Sequence, residues 1–280
     1  MRADRRGAGL SSSRAGAAAR LAAAAAPLVA AGAGIGVAVG GGAGAIAGIA
    51  VAVVAVAVAG AYCDRLALSA MAARPVSEVE HPELYRLVRE LSKGGRLPVP
   101  RLFLSPAQQP NSFAVGRNPR SAAICCTEGL LAALDEAELR GVLGHELAHV
   151  SGRDLLPATV SAGLATVITF PAGRARLLML VLGPVAALVI RLSVTRQREY
   201  RADAAGALLA GDPVALAGAL RKIGAGVTEL ALAPDARLSS VAHLMIASPF
   251  HPGGFARLFA THPPLGERLR RLEALAGYRR

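Results

Sequence analysis

From Leu21 to Cys63 the chain runs 43 residues without a charged side chain. A helix of about 20 apolar residues crosses a bilayer once, so this run is long enough for two crossings. Gly40-Gly41-Gly42 sits near its middle and offers a turn. We read a transmembrane helical hairpin over 20–62, with arms at 20–39 and 43–62. Its many Gly and Ala residues allow the arms to pack closely. The competing reading is a poorly ordered Ala/Gly tail. A cleaved signal peptide does not fit, because its apolar core is far shorter.

Hydrophobic residues make up 53% of the chain, yet aromatics only 4%, and there is no Trp. The apolar content is therefore Ala, Val, Leu and Gly, which points to membrane segments more than to a large aromatic core. A second apolar region, 155–194, is interrupted by Arg174 and Arg176 and carries Pro157, Pro171 and Pro184. Its halves read as two short membrane helices, with buried or interfacial helices as the alternative.

The net charge of +12 does not make a nucleic-acid protein. The arginines are scattered, and no basic stripe is interleaved with aromatics. Arg2, Arg5, Arg6, Arg14 and Arg20 precede the hairpin, and positive flanks mark the cytoplasmic side. Two crossings return the chain to the cytoplasm at Asp64, so the expected place is a cell membrane, multi-pass, with the chain after Asp64 facing the cytoplasm. Cys63, Cys125 and Cys126 lack C-x-x-C spacing and read as reduced and structural. In a strand, the adjacent Cys125 and Cys126 point to opposite faces.

The chemistry is concentrated in His145-Glu146-Leu147-Ala148-His149. In a helix, residues four apart share a face, so both imidazoles can reach one metal ion, with Glu146 beside the first to handle a water proton. This is the H-E-x-x-H arrangement of zinc hydrolases. Catalytic zinc takes three protein ligands, and a downstream helix has to bring the third. Glu199 in Arg198-Glu-Tyr-Arg-Ala-Asp203 is the best candidate, and Asp203 one turn later can orient a ligand histidine. An ordinary solvated helix face remains the alternative for this pair.

Around these residues the pattern predicts a helix over 81–92 and strands at 101–105, 112–115 and 122–126. A turn is expected at 116–119 and a short helix at 127–134. The zinc helix is capped by Asp135 with Glu138 three residues on. Further helices are predicted at 196–209, 213–223 and 234–248. The last helix, 264–275, places Leu265, Leu269, Leu272 and Leu275 on one face.

Four segments in order resemble the HtpX-type integral-membrane zinc metalloproteases, which are related to the CAAX prenyl proteases. They are Asn111-Ser-Phe-Ala-Val-Gly-Arg-Asn-Pro119; His145–His149 with Gly152 and Asp154; Arg198–Asp203; and Thr261-His-Pro-Pro-Leu265 followed by Arg268. The resemblance covers about 64–275. It implies an α+β, mainly helical, zincin-like metalloprotease domain with a small β-sheet behind the transmembrane hairpin. The parts are a basic N-terminus (1–19), the hairpin (20–62), a first protease part (64–154), the apolar helices (155–194) and a second protease part (195–280). One Zn²⁺ on His145, His149 and Glu199 is implied, with Glu146 as general base and Asp203 behind the ligands. Asn111, Ser112, Phe113 and Ala114 are implied as the strand where substrate docks. His262 is implied to approach the cleft, donating to the oxyanion or capping the metal at rest. Ser112 departs from the family pattern, where Ala is usual. The implied partners are protein substrates, above all misfolded membrane proteins, and the lipid bilayer. The competing functions are a membrane scaffold with a structural zinc and a prenyl-protein protease. His81, His243 and His251 match no motif and read as structural.

Overall fold

The computed structural model describes residues 4–152, 155–169, 176–193, 195–251, 259 and 262–277. Arg2, Asp154, Pro171, Arg174 and Thr261, named above, lie outside them.

Helix α1, Asp4–Ala70, is two arms joined at a break. Gly40 (φ −146°, ψ 25°) and Gly41 (φ 58°, ψ −140°) are its non-helical residues. The left-handed φ at Gly41 is open to glycine at no steric cost. Beyond this turn the arms touch backbone to backbone. A Cβ on Gly36 would collide with the Gly44 carbonyl, and one on Gly48 with the Gly32 carbonyl. The outward side chains, among them Ile35, Val39, Ile46 and Val51, are exposed and apolar. The hairpin is thus present with its expected turn, and its second arm continues past the uncharged run to Ala70.

The sheet has the order β1-β2-β4-β3, built from β1 (Arg74–Pro75), β2 (Arg101–Ser105), β3 (Ser112–Val115) and β4 (Ala123–Thr127). β2 runs parallel to β4, with Phe103 opposite Cys125, and β3 runs antiparallel to β4, with Ser112 opposite Cys126. β3 and β4 are buried along their whole length, because the sheet is a wall between two cores. Leu102, Leu104, Ala114, Ile124 and Cys126 face the first core. It is closed by α2 (Pro82–Gly94), α4 (Glu136–Ser151), α8 (Pro213–Glu229) and α10 (Leu265–Gly277). Phe113, Val115, Ala123 and Cys125 face the second core, against Ala67, Leu68 and Met71 at the base of the hairpin. The alternation of a strand thus sends the two adjacent cysteines opposite ways, as expected. All three cysteines are free and buried, and burial pushes the Cys126 thiol up to about 12.

α3 (Glu128–Ala133) leads into α4, whose start is the predicted capping box. The Glu138 N–H donates to Asp135 Oδ1 (2.9 Å), and the Asp135 N–H donates to Glu138 Oε2 (3.0 Å). α5 (Leu155–Thr169) and α6 (Arg176–Ser193) follow. The 15 residues of α5 reach about 22 Å, short of a bilayer core of about 30 Å. α5 is largely buried, with Gly163 against the Ala59 carbonyl of the hairpin. This favours the buried-helix alternative for α5. Among the described residues, the α1 run alone is long and apolar enough to cross a membrane.

Two predicted helices are corrected. The one expected over 213–223 runs on to Glu229 as α8. The expected helix over 234–248 stops early: α9 covers Ala236–Val241, a 3-10 turn covers Ala242–Leu244, and Met245 turns extended. Met245 bridges to Phe113, and the Ile246 N–H donates to the Ser112 carbonyl (2.9 Å). The open side of β3 supplies a backbone partner that a continued helix would forgo.

Candidate active site

Two helices make the site. α4 carries His145, Glu146 and His149, and α7 (Arg196–Ala210) carries Glu199 and Asp203. They approach closely because glycine faces glycine. A Cβ on Gly144 would lie 2.6 Å from the Gly206 carbonyl, and one on Gly206 would lie 2.5 Å from the His145 nitrogen. α7 ends at Gly211 in a left-handed cap (φ 88°).

The approach brings the predicted donors together in the buried interior. The Nε2 atoms of His145 and His149 stand 3.1 Å apart. Glu199 Oε2 is 3.8 Å from His145 Nε2, and Glu199 Oε1 is 3.7 Å from His149 Nε2. Two ligands at about 2.0–2.1 Å from a tetrahedral zinc stand roughly 3.3 Å apart. These three separations therefore fit one small ion. All three residues are buried. Burial, then the Arg198 cation, holds the His149 imidazole well below its usual range, in the neutral form that binds metals. One contact must yield on coordination: Arg198 Nε donates to His149 Nδ1 (3.3 Å), which leaves the remaining ring proton on Nε2. Coordination through Nε2 requires Arg198 to withdraw.

His145 is braced differently. Its Nδ1 lies 2.9 Å from Asp203 Oδ1, which leaves the Nε2 lone pair facing Glu199. Asp203 is gripped in turn by Arg268 of α10, through Nε to Oδ2 (2.8 Å) and Nη2 to Oδ1 (2.7 Å). Burial alone would raise the Asp203 carboxyl; the Arg268 guanidinium and His145 outweigh it and hold it at about 2. Arg268 Nη1 also donates to the Ile246 carbonyl (2.7 Å). The sequence had a signal for this role: position 268 sits on the face of Leu265, Leu269 and Leu272, and a charge on an apolar face calls for a buried partner.

Glu146 points between the site and the sheet. Its Oε1 accepts a 2.6 Å hydrogen bond from Ser112 Oγ, and its Oε2 is buried with no partner among the described residues. Burial pushes its carboxyl above the usual value, against the pull of His145 and Ser112. His262 reaches the same place, with Nδ1 3.6 Å from Glu199 Oε2. His243 accounts for itself structurally, with Nε2 3.1 Å from both Ser161 Oγ and the Ala158 carbonyl.

The expected docking strand is already engaged. Asn111 Nδ2 donates to the Ala247 carbonyl (3.0 Å), and Asn111 Oδ1 accepts from the Ser112 N–H (3.1 Å). Phe113 and Ala114 are buried on opposite faces of the sheet. A substrate strand added along Asn111–Ala114 has to displace Met245–Ala247.

The sequence pattern of peptidase family M48 matches residues 78–276, which contain every group just described. The chain belongs to peptidase family M48. Protease HtpX homologs among this M48 chain's relatives agree. One from Kineococcus radiotolerans is 54% identical over 236 residues, covering 77% of this chain and 80% of its own length. One from Paenarthrobacter aurescens is 52% identical over 229 residues, covering 76% and 79%. One from Bifidobacterium longum is 45% identical over 236 residues, covering 77% of each. The M48 chain is an HtpX-type metalloprotease, and the relatives are bacterial. Its donor group of two imidazoles and a carboxylate suits such an enzyme.

Proposed function

We propose that this protein is a membrane-anchored, zinc-dependent endopeptidase that cuts misfolded membrane proteins on the cytoplasmic side. The observation that carries the proposal is the donor group of His145, His149 and Glu199, with all its ligand atoms within 4.8 Å of one another and Glu146 beside it. His145, His149 and Glu199 hold the ion. Zinc, when bound, acts as a Lewis acid on the scissile carbonyl and makes water a better nucleophile.

The remaining steps belong to the side chains. Glu146 takes the proton of the attacking water at Oε2 and passes it to the leaving amine nitrogen. Asp203 fixes the His145 ring, and Arg268 fixes Asp203. His262, whose ring stands beside Glu199 at 3.6 Å, is the side chain placed to stabilise the developing oxyanion. An extended substrate competes with Met245–Ala247 for β3, where main-chain hydrogen bonds give register. The apolar exterior of the hairpin supports a bilayer anchor, and the arginines before it support a cytoplasmic N-terminus.

The test is zinc content together with casein cleavage, in detergent, for wild type and Glu146→Gln. Both proteins should hold one zinc, and the variant should lose about 10²–10⁴-fold in rate. Equal cleavage by the two proteins refutes the mechanism. Zinc in both without cleavage by either supports a scaffold instead.

A further inference from the structure

Ser112 lies on β3, yet its side chain does not serve the sheet. The residue is fully buried, and its backbone is fixed on both sides. Its N–H donates to Asn111 Oδ1 (3.1 Å), and its carbonyl accepts the Ile246 N–H (2.9 Å). With the main chain held in this way, the hydroxyl is carried to a set point at the end of Glu146. There Oγ donates to Oε1 over 2.6 Å, a length typical of a hydroxyl bound to a carboxylate and of the stronger, charge-assisted bonds. A carboxylate has two oxygens. One is taken by the sheet, and the other, Oε2, is buried and has no partner among the described residues.

We propose that Ser112 is a positioning residue for the peptidase reaction: it ties one oxygen of Glu146 to the rigid strand, so that Oε2 alone is presented to the attacking water. The inference rests on the reading of Glu146 as the general base. Without the hydroxyl, rotation about the last bonds of Glu146 lets the two oxygens exchange places and tilt away, since nothing else described holds either of them. Alanine at this position would supply no such tether. The step itself is unchanged: the water proton goes to Oε2 and then to the amine, and Ser112 keeps its own proton throughout.

The experiment uses full-length protein in detergent, with quenched-fluorescent casein as substrate and acetohydroxamate as a probe that binds without turnover. Ser112→Ala should keep its zinc and its melting temperature. Its kcat should fall about 10- to 100-fold, the effect of losing a hydrogen bond to a charged group. KM should stay within about twofold, because the tether acts on the base and not on substrate contacts. Acetohydroxamate, whose hydroxyl proton falls to the same base, should bind about tenfold more weakly. Ser112→Thr, which keeps the hydroxyl on a strand-compatible side chain, should stay within about threefold of wild type in kcat. Wild-type kcat in Ser112→Ala overturns the inference. So does a folded, zinc-loaded Ser112→Thr as slow as the alanine variant, and so does a parallel fall of kcat and melting temperature with no change in probe affinity. If Glu146→Gln cleaves at the wild-type rate, the general-base reading fails and takes this inference with it. If Glu146→Gln is dead while Ser112→Ala is unaffected, the inference alone fails.

Discussion

In the hairpin, Gly36 meets Gly44 and Gly32 meets Gly48; behind the sheet, Gly144 of α4 meets Gly206 of α7. Both helix pairs use the same device, removal of Cβ so that backbones touch, and they obtain different things from it. Around the hairpin glycines stand exposed apolar side chains such as Ile35 and Ile46. None of these carries chemistry, and many sequences of Ala, Gly and Val would pack as well. At α4 and α7 the backbone contact sets which carboxylates face which imidazoles. A slip of one turn, about 5.4 Å, would carry Glu199 out of reach of both histidines. Close packing is tolerant where it only joins and exacting where it also aligns.

That contrast can be broken at its exacting end first. Gly206→Val puts two methyl groups where the His145 backbone lies, and α7 must move away. We expect a loss of about 100-fold or more in casein cleavage, the usual effect of misplacing reacting groups by about 1 Å. The fold should weaken by only about 1–3 kcal/mol. A variant with wild-type kcat would show that the glycine contact does not align the site.

Arg268→Lys is the next largest. The ammonium keeps the charge but loses the two-pronged grip on Asp203. Zinc affinity, measured by chelator competition, should fall about 10-fold through His145. Acid stability sharpens the point. Asp203 is held at about 2 in the fold against an ordinary 3.8, so its contribution is fully present above about pH 4. It is lost as the pH falls from there through 2. With lysine the carboxyl rises toward its ordinary value, and that contribution shrinks. Circular dichroism should then find unfolding at a higher pH than in wild type; an unmoved midpoint would deny Arg268 this role.

Gly36→Ala should have the smallest effect on activity. The hairpin arms separate slightly, and thermal stability in detergent falls by about 1 kcal/mol, at the low end of overpacking costs. Casein cleavage stays within about twofold. A fall matching that of Gly206→Val would show that the tolerant pair is also aligning something.

Patterns with short range are legible in the sequence. The hairpin turn at Gly40–Gly41, the strands 101–105 and 112–115, and the Asp135–Glu138 box are all local matters of charge, alternation and capping. The need for a third ligand on a downstream helix pointed to Glu199, the resemblance added His262, and the fold gathers both beside the histidines. Long-range uses of a residue are not legible there. Gly224 and Gly226 look like the end of a helix at 223, yet α8 runs through them to Glu229. They are packing positions, close under Leu265 and Pro110. Ser112 looks like a neutral exchange for alanine because Glu146 is 34 residues away in sequence. Met245 leaves its helix for a strand that the sequence places 132 residues earlier.

The second arm of α1 has a mechanical side. From Gly42 it is helical without a break to Ala70, where it is built into the core behind β3. About 10 Å of helix rise separates Cys63, the end of the uncharged run, from Ala70. No flexible linker lies between them. The arm is a post, and the height of the cleft above its apolar section is set by the length of that post. On the proposed reading of the hairpin as a bilayer anchor, the distance between the lipid surface and the bond that meets Glu146 is fixed by that rigid span.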